Sequence, residues 1–156
     1  MTQTSEEIMV AINNTTTDEA EIRQIIDNWV ESVRAKDIDG LMSHYVDDSV
    51  LFDIMPPLKH QGASAYRQLW EQCFPYFQGD IGYEIRDLNI TVGSDVAFSH
   101  SLNRMSGTTT NGEEIDNWMR VTVCYQKIDG KWMVIHDHVS VPINMENSKA
   151  LFDLKP

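Results

Sequence analysis

The chain has 156 residues and is 42% hydrophobic, enough for one domain with a real core. Its formal net charge is −12, from 24 acidic and 12 basic residues. That excludes nucleic acid and anionic membrane as natural partners, because phosphate binding needs a basic surface. It favours a small molecule or a second copy of the chain.

Residues 1–16 contain one five-residue apolar run, IMVAI, with no basic region before it. They read as a polar leader rather than a signal peptide or membrane span. From Thr17 to Ala35 the pattern is helical. Ile22, Ile25, Ile26, Trp29, Val30 and Val33 form one apolar face, with Thr16 or Asp18 available as a cap. KDIDGLMSHYV (36–46) reads as a second, short helix. DDSVLFDI (47–54) reads as a strand, and MPPLKHQG (55–62) as a loop, since paired prolines cannot continue a ladder. A third helix is expected from about Ser64 to Phe77, with Tyr66, Leu69, Trp70, Cys73, Phe74 and Phe77 on its apolar side.

After Gly79 the texture changes to four strand-like runs: 83–93, 95–107, 114–127 and 131–142. GSD, TTTNGE and IDG separate them and read as hairpin turns. Helices followed by an antiparallel meander make an α+β fold. Its concave sheet face and covering helices would enclose a pocket. The ending NSKALFDLKP reads as a tail with a final helical turn. Cys73 and Cys124 make no disulfide framework and fit a reducing cytoplasm.

Two segments carry a family resemblance. WVESVRAKDIDGLMSHYVDDSVLFD resembles the helix–helix–strand opening of ketosteroid isomerase. DGKWMVIHDHVSVP is similar to the last strand of small SnoaL-like proteins and of the calmodulin-dependent kinase II association domain. Both belong to the nuclear-transport-factor-2-like superfamily. The resemblance implies a cystatin-like cone, with N-terminal helices packed on a curved, mostly antiparallel sheet. It implies a leader over 1–16, a SnoaL-like domain over 17–143 and a tail over 144–156. Asp53 falls where the isomerase has its proton-shuttling aspartate, and Trp29 where it has its oxyanion-hole tyrosine. Thr122 falls near that enzyme's protonated oxyanion-hole aspartate. A base is kept and both oxyanion donors are lost, which argues against steroid isomerisation by that route.

The same alignment sets the strand faces. It puts Phe98, His100 and Leu102 on the pocket side of one strand and Trp118, Arg120 and Thr122 on the pocket side of the next. Asp137 and Val139 then line the pocket from the last strand. Asp53, His100, Arg120 and Asp137 are the candidate catalytic set. His100 would serve as acid or base, and Asp137 would pair with Arg120. Each also has a structural reading: a hydrogen-bonded core histidine, a buried ion pair, a polar residue at the pocket mouth. Trp29, Tyr45, Trp70, Phe98, Leu102, Trp118, Thr122 and Val139 would contact a flat hydrophobic ligand, or simply fill the core. His136 and His138 would face outward, toward a second subunit in a homodimer. Two same-face histidines are too few for a metal site, and no cofactor motif occurs. Two functions stay open: a cofactor-independent isomerase, cyclase or dehydratase acting on a hydrophobic carbonyl or hydroxyl compound, and a non-catalytic homodimeric binding module.

Overall fold

A computed structural model describes residues 3–156. Three helices, α1 (Ser5–Ala35), α2 (Ile38–Met42) and α3 (Ala63–Cys73), pack on one six-stranded sheet. The strands are β1 (Tyr45–Phe52), β2 (His60–Gln61), β3 (Phe77–Val92), β4 (Val96–Thr109), β5 (Glu114–Ile128) and β6 (Lys131–Ser140). Their order is β2-β1-β6-β5-β4-β3. Only β1 and β6 run parallel; every other neighbouring pair is antiparallel. The α+β cone expected from the sequence is the observed fold.

The first 16 residues are a correction. From Ser5 onward they are helical and continuous with the rest of α1. Thr4 caps the helix and forms a reciprocal box with Glu7: the Thr4 amide donates to Glu7 Oε2 at 2.9 Å, and the Glu7 amide to Thr4 Oγ1 at 3.3 Å. The threonine run does not break the helix. The hydroxyls of Thr15, Thr16 and Thr17 each donate at 3.0 Å to the carbonyl four residues back. Among the described residues no helix is long and apolar enough to cross a membrane.

The third helix also ends earlier than expected, at Cys73. Pro75 has no N–H to continue the α-helical ladder, and Phe74–Tyr76 form a 3₁₀ turn leading directly into β3. The tail does not become a helix either. Ile143 bridges to Ala150, the Leu151 amide donates to the Pro142 carbonyl, and the Trp118 amide donates to the Phe152 carbonyl at 3.0 Å. The chain thus folds back beside β5 beyond the point where β6 stops.

From Asp18 onward the helices bury their apolar stripes against the concave sheet face, whereas Ile8, Met9, Val10 and Ile12 in the first turns of α1 are exposed. Ile22, Val33, Leu41, Leu51, Tyr66 and Trp132 are at most 2% exposed. At one end of this core the Asp18 carboxylate receives two donors on one oxygen, Lys127 Nζ at 2.9 Å and Trp132 Nε1 at 3.0 Å. This ties α1 to β5 and β6. Replacing Asp18 by alanine leaves the buried indole N–H without a partner and should cost about 1–3 kcal/mol in chemical denaturation. Asp18→Asn, which keeps an acceptor for Trp132, should cost less; equal losses would show that the indole bond contributes nothing.

Candidate functional site

Side-chain direction along β6 depends on one extra residue. Tyr125 of β5 pairs with Val134, but Cys124 pairs with His136, so Ile135 is a bulge. Counting back from the Asp129-Gly130 turn without the bulge sets Asp137 opposite Thr122. In the structure it sits opposite Val123. The faces of β5, and of β4 beyond it, are therefore inverted relative to the sequence expectation.

That inversion corrects six assignments. Phe98, His100, Leu102, Trp118, Arg120 and Thr122 lie on the outer face, away from the cavity. Phe98 is 44% exposed. Trp118 is buried there beneath the Arg86 guanidinium, 5.2 Å from its ring centroid. Arg120 is exposed and donates to Ser140 Oγ at 3.1 Å, so it does not pair with Asp137. Ser99, Ser101, Asn103 and Met105 of β4, and Met119, Val121 and Val123 of β5, occupy the inner face instead. His100 joins His136 and His138 on the outer face, where His100 and His138 both neighbour Thr122. Among the described residues no three His, Cys, Asp or Glu side chains come together as a metal site.

Asp53, Asp137, Trp29, Tyr45, Trp70 and Val139 do line one cavity, of about 620 Å³. Its floor is the concave sheet and its roof is α1 and α3. Five rings form a continuous wall. Tyr83 meets Trp29 at 5.1 Å between centroids, Trp29 meets Trp70 at 5.7 Å, Trp70 meets Tyr66 at 6.1 Å, and Tyr66 meets Tyr45 at 5.3 Å. Tyr66 was legible only as an aromatic on a helix face, and Tyr83 only as the start of a strand-like run. Asn103 was hidden by the inverted parity; its amide donates to Tyr83 Oη at 2.8 Å.

Asp137 stands in this apolar wall at 3% exposure. Tyr45 Oη donates to its Oδ2 at 2.9 Å, while Oδ1 is buried without any hydrogen-bond partner. Tyr45 and Asp137 are 92 residues apart, so no local spacing announces the pair. Burial pushes the Asp137 carboxyl up to about 7, against the Tyr45 hydrogen bond, and the Asp53 charge adds to the rise. Asp53 follows Phe52 at the end of β1. Leu51 pairs with Asp137 in the parallel ladder, so alternation brings Asp53 onto the same face, one step nearer the opening. Burial raises its carboxyl too, opposed by the Met55 amide, which donates to Oδ1 at 2.9 Å. The Trp29 indole N–H is likewise buried and unpartnered.

A carboxyl raised by folding holds its proton where the unfolded chain releases it. Its contribution to stability is fully present below the unfolded value and is lost as pH rises toward about 7. Between pH 4.5 and pH 8, the wild-type protein should therefore lose stability relative to Asp137→Asn, by roughly 3–4 kcal/mol at most. Parallel stability–pH curves for the two proteins would show that Asp137 titrates normally.

Residues 22–144 match the family model described as a SnoaL-like domain. Among curated proteins none matches the chain. Among solved structures, an NTF2-like protein of unknown function from Pseudomonas putida is 42% identical; the match covers 90% of this chain and 98% of that one, with a TM-score of 0.83. A ketosteroid isomerase-like protein from Erwinia carotovora atroseptica is 21% identical over 78% of this chain and 93% of that one, with a TM-score of 0.66. The calcium/calmodulin-dependent kinase II association domain of C. elegans is 14% identical over 83% and 99%, also with a TM-score of 0.66. The last two share the fold. The family match, covering most of the chain, together with the cone observed here, makes this protein a member of the SnoaL-like domain family.

Proposed function

We propose that the cavity binds one hydrophobic, ring-containing small molecule and that Asp137 performs acid–base chemistry on its carbonyl or hydroxyl group. The observation that carries this reading is the half-satisfied Asp137 carboxyl: Oδ2 is held by Tyr45, and Oδ1 is buried in the cavity wall without a partner. An orphaned buried acceptor costs about 1–3 kcal/mol, so a ligand donor reaching Oδ1 would be stabilising. A ligand group could complete the set. Near neutrality both protonation states are within reach. The neutral acid would donate to a carbonyl oxygen or a departing hydroxyl; the carboxylate would remove a proton beside a carbonyl. An isomerisation, cyclisation or dehydration needs no more than this and calls for no cofactor. Tyr45 is the positioning residue, fixing Oδ2 so that Oδ1 faces the ligand. His100 and Arg120, on the outer face, have no part in this version of the site. The two free thiols, Cys73 and Cys124, fit a cytoplasmic setting.

On the substrate turned over by the wild-type protein, Asp137→Asn should lower kcat by at least about a hundredfold with KM little changed, as expected for loss of a general acid–base. Tyr45→Phe should lower kcat less and move the pH profile to higher pH, since Asp137 loses the bond that favours its ionised form. Full activity in Asp137→Asn would end the catalytic reading while leaving the binding one.

A second reading rests on the outer face. Phe52 and Phe98 are 36% and 44% exposed there, and Phe52 packs edge-on against His136 at 4.8 Å and His138 at 5.4 Å. This half of the face suits a homodimer seam. Sedimentation at micromolar concentration should give a dimer, and Phe98→Glu should shift it to monomer; a wild-type monomer would remove this reading.

A further inference from the structure

The charge balance of the cavity narrows what it admits. Among the described residues, its lining contains two carboxyls, Asp53 and Asp137, and no lysine or arginine. Arg34 and Lys36, on and just after the helix that roofs the cavity, are committed elsewhere. Arg34 donates to the Tyr83 carbonyl at 2.6 Å and Lys36 to the Phe77 carbonyl at 2.7 Å. His44 lines the opening, but burial lowers its pKa and keeps the ring neutral. His60 stands behind Asp53 and spends Nε2 on the Met55 carbonyl at 3.1 Å. A carboxylate or phosphate ligand would therefore face two acids with no cation to receive it.

We infer that the ligand of this cavity carries a basic nitrogen, and that its ammonium group sits between Asp53 and the open Oδ1 of Asp137, against the aromatic wall. The inference rests on the pocket reading above and adds the substrate class: lipophilic amines, with anionic compounds excluded. Three features converge on it. The open Oδ1 is an acceptor with no donor, and an ammonium brings three donors and no acceptor. Asp53, one residue past the end of β1, and Asp137 on the neighbouring β6 line the same cavity, and the Asp53 charge is felt at Asp137, so one cation between them would serve both. Tyr45, Tyr66 and Trp70 line the same cavity, and aromatic rings attract cations in desolvated sites. The surplus negative charge of the whole chain, −12, would draw cations toward the opening. The bound ammonium would also hold Asp137 in its carboxylate form, so that of the two roles proposed above Asp137 takes the base's and not the acid's.

Three probes of one shape test this: 2-aminotetralin, 2-tetralol and tetralin-2-carboxylate. Binding is read from the fluorescence of Trp29 and Trp70 and confirmed by calorimetry. At neutral pH the amine should bind at least about tenfold more tightly than the alcohol, the ratio expected for one charge-assisted hydrogen bond, and the carboxylate not detectably. Asp53→Asn keeps the acceptor for the Met55 amide. It should cost the amine about tenfold while leaving the alcohol within about twofold. Alcohol binding as tight as amine binding, or equal losses for both in Asp53→Asn, overturns the inference and leaves the pocket reading intact. Failure of all three probes to bind overturns both.

Discussion

One extra residue, Ile135 in β6, decides which side chains of β4 and β5 face the cavity. Alternation has a period of two, so a single inserted residue moves everything beyond it to the other side of the sheet. Here the bulge turns Val134 inward before it and Asp137 inward after it. Across the ladder it sets Val123 beside Asp137, which leaves Thr122, Arg120 and Trp118 outside. The regular β4–β5 hairpin then carries the same parity to β4, where Ser99, Ser101 and Asn103 face in and His100 faces out.

The cavity that results is apolar enough to make its one deeply buried acid unusual. A lone carboxylate there would be expensive, and no guanidinium comes to meet it. The protein tolerates Asp137 because the carboxyl can stay protonated, with one oxygen held by Tyr45. Neighbouring polar groups are handled differently. Asn103 is spent on Tyr83 and Ser101, and Ser99 on Tyr125, so these β4 groups are bonded among themselves. Against that background the free Oδ1 of Asp137 and the free indole N–H groups of Trp29 and Trp70, all on the cavity lining, stand out as groups left for a ligand. Trp29 occupies the place where the isomerase resemblance expected an oxyanion donor, and its N–H is a weaker, neutral donor than the pair that enzyme uses.

The outer face divides into two halves with different physics. Toward one end, Arg104 makes a bidentate pair with Asp116 at 2.7 and 2.8 Å, and Arg86 joins Glu84 at 3.0 Å. These exposed pairs add little stability but keep that end hydrated. Toward the other end, Phe98, Cys124, His136, His138 and Phe52 form a surface with no Lys, Arg, Asp or Glu among them. His136 uses Nδ1 on the Val50 carbonyl, so one of the two histidines already holds the β1–β6 seam.

By itself the sequence determined the class of fold, the order of the main elements and the family, though the two-residue β2 lay inside what read as a loop. Apolar periodicity over Ile22–Val33, the GSD and IDG turns and the strand runs between them are local signals, and local signals survive in a single chain. Alternation also determined that Asp137 and the His136/His138 pair would face opposite ways, and the family resemblance supplied which of the two ways was inward. Even so, the Thr4–Glu7 capping box, written plainly in TSEE, was outweighed by a polar composition that suggested a leader. Only the tertiary structure decided the rest. The bulge at Ile135 lies in the strand between β1 and β5, and no glycine or proline beside it announces it. With it went the inner or outer placement of His100, Arg120 and Thr122, because register is a property of two strands and not of either alone. The Tyr45–Asp137 bond belongs to the same level: its two ends are joined only where β1 inserts parallel to β6, a pairing that no turn in the chain encodes.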